Sequence, residues 1–136
     1  MKNSVALLSL LLSLVFMSTG CSNDDDLQLK KGIYYVKYSF TCGNSIYLSS
    51  FVVKYTDENL QTRSKSYGKN TSASKAKKSY TDEIICGPFK YGDHVELRIT
   101  DAVNVNDRFL EISVSKDNSP FALKVSGSSY LSYDIE

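Results

Sequence analysis

The stretch His94-Val95-Glu96-Leu97-Arg98-Ile99-Thr100 alternates polar and apolar residues without a fault. Successive side chains of an extended chain point to opposite faces, so Val95, Leu97 and Ile99 share one side and His94, Glu96, Arg98 and Thr100 the other. A strand with one dry and one wet face belongs to an antiparallel sheet covered on one side only. Upstream, Tyr91-Gly92-Asp93 reads as a turn. Before that, Tyr80 to Cys86 gathers Ile84, Ile85 and Cys86, and Gly87-Pro88 removes a ladder donor, so strand pairing is expected to lapse there. Downstream, an Asn/Asp-rich connection from Asp101 to Asp107 leads to the inward set Leu110, Ile112 and Val114. The turn Asp117-Asn118-Ser119-Pro120 leads to Phe121, Leu123 and Val125, read as the next inward set. After the break at Gly127-Ser128-Ser129, Leu131, Tyr133 and Ile135 finish the pattern.

The first half of the chain carries the same period of two. Ile33 to Thr41 sets Tyr34, Val36, Tyr38 and Phe40 on one face. Ile46 to Thr56 sets Phe51, Val53 and Tyr55 on one side until Asp57-Glu58-Asn59 turns the chain, and the polar Leu60 to Tyr67 reads at most as an edge strand. No helical period appears between 21 and 136. Seven or eight short strands with turns between them predict an all-β, antiparallel two-sheet sandwich, its core about 10 Å thick and filled by these inward sets. The runs Gly87-Pro88-Phe89-Lys90-Tyr91-Gly92-Asp93-His94-Val95-Glu96-Leu97 and Glu111-Ile112-Ser113-Val114-Ser115-Lys116-Asp117 resemble the late strands of small bacterial immunoglobulin-like domains. They are also similar to the domain of the mycobacterial small membrane proteins that accompany lipid exporters. The resemblance covers about the last half of the chain and implies an immunoglobulin-like fold with an accessory or binding role, and no catalytic residue.

Ahead of all this stands a leader. Lys2 gives a positive start, Val5 to Phe16 is apolar apart from Ser9 and Ser13, and Met17-Ser18-Thr19-Gly20 leads into Cys21. The apolar part is shorter than the roughly 20 residues of a membrane-spanning helix. The segment resembles the signals cut by the lipoprotein signal peptidase, with Thr19 and Gly20 at the small positions and Ser18 where that family favours leucine. Cys21-Ser22-Asn23-Asp24-Asp25-Asp26 is similar to the acidic stretch after the acylated cysteine in surface-exported lipoproteins of Bacteroidetes-type bacteria. The resemblance implies lipidation of Cys21 and an outer-membrane location, at the cell surface or on the periplasmic face. Several acyl chains give stable anchoring where one does not. The competing reading is an ordinary secretory signal with Cys21 a spare thiol. The expected organisation is a leader over 1–20, an acylated cysteine and acidic tether over 21–31, and a sandwich domain over 32–136.

Charge and cysteine usage narrow the function classes. The chain holds 16 basic and 15 acidic residues, and removal of Lys2 with the leader leaves them equal. That balance argues against a nucleic-acid partner. The local basic run Arg63, Lys65, Lys69, Lys75, Lys77 and Lys78 reads as a polar loop, with an anionic lipopolysaccharide or acidic glycan as the alternative contact. With Cys21 carrying lipid, Cys42 and Cys86 make an even pair in an exported domain. A disulfide is the expectation, contributing about 4 kcal/mol in the chain-entropy account, against two buried thiols.

Chemistry is sparse. His94 is the only histidine, so a small hydrolase would have to use it, but no Gly-x-Ser-x-Gly elbow accompanies it. Asp57-Glu58 and Asp82-Glu83 are adjacent carboxylates, which point apart on a strand and cannot act as a facing pair. Asp101, Asn104, Asn106 and Asp107 lack the spacing of a calcium loop, and Asn70-Thr71-Ser72 fits a glycosylation tripeptide. No cofactor and no metal site is expected. Ten Tyr and no Trp remain. Tyr34, Tyr38, Tyr55 and Tyr133 fall on apolar faces with hydroxyls expected at the rim, and Tyr35 is read on a wet face. Tyr47, Tyr67, Tyr80, Tyr91 and Tyr130 lie near ends and loops as a candidate binding surface. The expected function is a lipid-anchored envelope module that binds a protein or another envelope component. A glycan-binding surface lipoprotein and a His94 hydrolase are the alternatives.

Overall fold

In the computed structural model the described residues are 31–43, 50–68, 79–100 and 107–136. The leader, Cys21, the tether to Lys30, Tyr47, the lysines from Lys69 to Lys78, the Asn70 tripeptide and Asp101 to Asn106 lie outside them. The alternating segments form eight strands: β1 (Tyr34–Gly43), β2 (Phe51–Thr56), β3 (Thr62–Tyr67), β4 (Ser79–Phe89), β5 (His94–Thr100), β6 (Asp107–Lys116), β7 (Ala122–Gly127) and β8 (Tyr130–Asp134). They pair antiparallel in two four-stranded sheets, sheet A in the order β4-β1-β6-β7 and sheet B in the order β3-β2-β5-β8. The protein is therefore an all-β two-sheet sandwich. Only β2–β3 and β6–β7 are hairpins within a sheet; the other connections cross between sheets.

Alternation places the core where the sequence puts it. Tyr34, Val36, Tyr38 and Phe40 of β1 meet Phe51 and Val53 of β2 and Val95, Leu97 and Ile99 of β5 in one buried cluster. Leu110, Ile112 and Val114 of β6 and Leu131 and Ile135 complete it. Each fully buried side chain of this size contributes about 1.5–3 kcal/mol relative to exposure, so the cluster is the main source of stability. The Tyr38 hydroxyl, expected at the rim, is instead inside. It donates to the Thr56 carbonyl oxygen at 2.7 Å and ties sheet A to sheet B.

Turn chemistry closes the hairpins. Asp117 and Asn118 both take positive φ and Ser119 N donates to Lys116 O at 2.9 Å, a two-residue turn whose twist suits a β-hairpin. In the β2–β3 turn the Asp57 carboxylate is buried. It accepts from Asn59 N at 3.0 Å, Gln61 N at 2.9 Å and Arg63 Nε at 2.5 Å. The Gln61 amide bond above all, with the bonds from Arg63 and Asn59, holds the Asp57 carboxyl below the usual carboxylate range against the opposing effect of burial. A depressed native pKa adds stability above the unfolded value near 3.9 and loses it as pH falls through the native value. Urea unfolding from pH 7 to pH 2.5 should therefore show an acid loss that is smaller in Asp57→Asn, which starts less stable at pH 7. An equal acid slope in both proteins would remove this role for the carboxylate.

Three further expectations are corrected. Pairing does not lapse at Gly87-Pro88. β4 continues to Phe89, and the register steps from Val36↔Cys86 to Tyr34↔Phe89, so the extra residue is absorbed as a bulge. That bulge lets Cys86 and Phe89, three apart, both face the core. Phe121 and Leu123 are not inward. The β6–β7 register steps from Ile112↔Val125 to Ser113↔Leu123, so Lys124 is extra and the face of β7 flips beyond it. Cys42 and Cys86 are free thiols, not a disulfide. They sit on neighbouring strands, but Cys86 faces Val36, six positions along β1 from Cys42. At about 3.3 Å per residue they are roughly 20 Å apart, far beyond the roughly 7 Å a disulfide spans. Burial pushes both thiols up to about 11, so they remain protonated small hydrophobes.

Candidate binding surfaces

The residues singled out in the sequence do not converge on one place. Tyr67 and Tyr80 pack instead into an aromatic cluster that closes the β3–β4 side of the sandwich. Phe51 and Tyr67 stack with centroids 5.1 Å apart, Phe40 meets Tyr67 at 5.0 Å, and Tyr80 lies 5.6 Å from Phe51. The Tyr67 hydroxyl and Lys65 Nζ both donate to Asp82 Oδ2 at 2.8 Å, which latches β3 of sheet B to β4 of sheet A. Burial, with the adjacent Asp82, pushes the Tyr67 phenol up to about 12. These two tyrosines thus serve the fold. Tyr91 and Tyr130 are exposed but apart, Tyr91 in the β4–β5 turn and Tyr130 at the start of β8. The buried Tyr34 and half-buried Tyr55 and Tyr133 join the core as expected.

His94 is exposed at the start of β5 and paired with the last residue of β8. Its Nδ1 lies 2.6 Å from Asp134 Oδ1 and its Nε2 3.6 Å from Glu96 Oε1, which also accepts the Tyr130 hydroxyl at 2.7 Å. The Asp134 bond, aided by the charge of Glu96, raises the imidazole above its ordinary value. Both ring nitrogens thus face carboxylates, a setting that favours imidazolium, whereas a hydrolytic triad needs a neutral base turned towards a nucleophile. Asp134→Asn should lower the His94 pKa towards about 6.5, read by imidazole NMR titration. An unchanged titration would show that this pair does not govern the ring.

The two outer sheet faces differ sharply in chemistry. On sheet A the register aligns Ile85, Lys37, Ser113 and Leu123 in one row across all four strands, and Tyr35 pairs with Ser115 in the next. Ser115 is only 4% exposed although it faces outward, while Ile85 and Leu123 are 58% and 56% exposed. Lys37 Nζ sits 5.6 Å from the Phe121 ring centroid and 3.2 Å from Glu83 Oε1 of β4, so it lies over the outer face of β1 between the two. The result is a shallow trough with a serine floor and apolar walls. Its open end, lined by Tyr35, Ile85, Ser115, Asn118, Ser119 and Phe121, encloses about 300 Å³. Phe109, also exposed, faces outward further along β6 opposite Thr41. Sequence reading missed this surface because Phe121 and Leu123 were placed inside. Sheet B instead presents the row Ser64, Lys54, Arg98 and Tyr130, bordered by Ser66, Thr62, Ser132 and Glu96.

Among the described residues no group of three or more His, Cys, Asp or Glu could hold a metal ion. Comparison with protein families, with characterised proteins and with solved structures finds no match for this chain.

Proposed function

We propose that this protein is a lipid-anchored binding module of the cell envelope, outer-membrane in location, acting as an accessory factor without catalysis. Its contact face for a protein partner is the outer face of sheet A. The observation that carries this reading is the concentration of Ile85, Phe109, Phe121 and Leu123 on one sheet face, exposed to solvent, while the other sheet turns out polar groups, the half-buried Val52 and Tyr130. Ile85 and Phe121 border one depression, Leu123 lies two residues from Phe121, and exposed apolar side chains gathered on one face are typical of interaction sites. The leader and acidic run around Cys21 support the anchor, and the immunoglobulin-like resemblance of residues 87 to 117 fits an accessory role.

Two arms test the reading separately. Mass spectrometry of the chain purified from its native host should find residues 1–20 removed and Cys21 bearing a diacylglyceryl thioether and an N-acyl group; an intact leader would remove the anchor. For the contact face, the double variant Ile85→Lys and Leu123→Lys should keep its unfolding free energy within about 0.5 kcal/mol. It should lose the cross-linked partner recovered from intact cells, because truncated anchors of an interface commonly cost about 2 kcal/mol or more. Unchanged cross-linking would sink the sheet A assignment. A glycan-binding reading draws on the hydroxyl-rich sheet B face with Tyr130 exposed on it.

A further inference from the structure

We infer that Lys54 and Arg98 form an oxyanion-binding site at the centre of the outer face of sheet B, suited to a carboxylate or phosphate group on a hydroxylated ligand. β2 and β5 are the two inner strands of this sheet, and Lys54 stands directly opposite Arg98 across them. Directly opposed side chains have Cβ atoms about 4.5–5.5 Å apart, and like charges in that relation destabilise a sheet. Four other cations are paired, Lys37 with Glu83, Arg63 with Asp57, Lys65 with Asp82 and His94 with Asp134. Among the described residues Lys54 and Arg98 have neither an ion pair nor a hydrogen-bonded partner. Lys31, Lys90, Arg108 and Lys124 also show no ion pair among the described residues, so it is the direct opposition of two cations that sets Lys54 and Arg98 apart.

A second observation is independent of charge. Among the described residues Arg98 Nε and Thr100 Oγ1, both on this face, are buried without a hydrogen-bond partner. A buried donor left unsatisfied costs free energy and is uncommon in a settled structure. Arg98 lies beside Lys54, Thr56, Thr62 and Glu96 around an indentation too small to admit a water, so its Nε can be reached only if the side chain lifts. An anion arriving above Lys54 would draw it off the sheet and give Nε an acceptor. The carboxylate on the same face, Glu96, opposes an anion, but its Oε1 is engaged by the Tyr130 hydroxyl and faces His94 Nε2. The row ends on Ser64 and Tyr130, whose hydroxyls flank the two cations as a sugar or polyol would require. Lysine supplies a point charge and arginine a planar fork, so the pair accepts either oxyanion geometry.

This site needs neither the lipid anchor nor the sheet A contact, so it stands or falls alone. The test is an NMR titration of the chain as purified from its native host, in detergent, with inorganic phosphate and, separately, with glucuronate, each against sodium chloride at matched ionic strength. The expected result is a saturable shift of the Arg98 Nε–Hε signal and of the Lys54 and Thr100 amides with at least one of the two anions. Saturation by phosphate alone assigns a phosphate group, and by glucuronate alone a carboxylate. Arg98→Gln and Lys54→Gln should each weaken the apparent affinity about tenfold, as expected for loss of one charge-assisted contact. Shifts that stay linear and match chloride, or an affinity unchanged in both variants, would overturn the proposal.

Discussion

Replacing Tyr38 by alanine is expected to lower the unfolding free energy by about 3–5 kcal/mol, as for other large aromatic side chains removed from a packed core. Tyr38 is fully buried at 0% exposure, sits at the centre of β1 in the middle of sheet A, and leans on the Tyr55 ring at 5.7 Å. The truncation would leave a cavity at the meeting of the two sheets and strand the Thr56 carbonyl that now accepts the phenol hydroxyl. Domains of this size hold only about 5–15 kcal/mol in total, so the variant should be marginal at 37 °C. Tyr38→Phe separates the two effects. It keeps the ring and removes only the hydroxyl, for a cost of about 1–3 kcal/mol. Equilibrium unfolding in urea, followed by far-ultraviolet circular dichroism, reads both. A Tyr38→Ala loss below 1 kcal/mol would mean that the sheets do not pack through this residue.

The second large effect is expected from Gly87→Ala. Gly87 has a φ of +146°, a conformation that side-chain-bearing residues rarely adopt. A Cβ built there would lie 2.7 Å from Tyr35 Cδ1 and 2.9 Å from the Tyr34 carbonyl oxygen. The first contact could relax by turning a ring, but the second is backbone of the central strand and cannot move without disturbing the β1–β4 ladder. Strained backbone and steric overlap together should cost at least about 2 kcal/mol. Gly92 provides the control. It also has positive φ, +85°, but its Cβ would meet nothing within 4 Å, so Gly92→Ala should carry the conformational cost alone and be the milder change. Equal losses at the two positions would contradict the close approach at the bulge.

The contrast between these sites shows what periodicity can carry. The pattern of β5 announced a strand and its buried side, because a period of two leaves no other arrangement for Val95, Leu97 and Ile99. The polar β3 was legible as an edge for the same reason: it has no apolar set to bury. What alternation does not encode is where the phase slips. One extra residue at Lys124 turned Phe121 and Leu123 outwards, and one at the Gly87 bulge let a strand run through a glycine-proline pair. Both apolar trough walls and the bulge were therefore invisible until the strands were paired. Cross-strand neighbours were hidden likewise. Nothing local to Lys54 or Arg98 says that they stand opposite one another, and nothing local to Cys42 and Cys86 says that adjacent strands hold them six positions apart. Tyr80 carries a readable hint, since it shares the phase of Ile84 and Cys86, but nothing local marks Tyr67, and the packing of both rings on Phe51 requires both sheets.

The resulting picture gives each side of the sandwich a different task. The interior binds the sheets together, the β3–β4 side is closed by aromatic rings and a Lys65–Asp82–Tyr67 latch, and the outer faces are left for contact. The most direct measurement is a photo-cross-linking scan in intact cells. A photoreactive amino acid is placed in turn at Ile85, Phe109, Leu123 and, on sheet B, Ser64 and Ser132. The account predicts one discrete protein adduct from the sheet A positions, lost when Leu123→Lys is combined with the probe at Ile85. Adducts of equal yield from both faces, or none from sheet A, would contradict it.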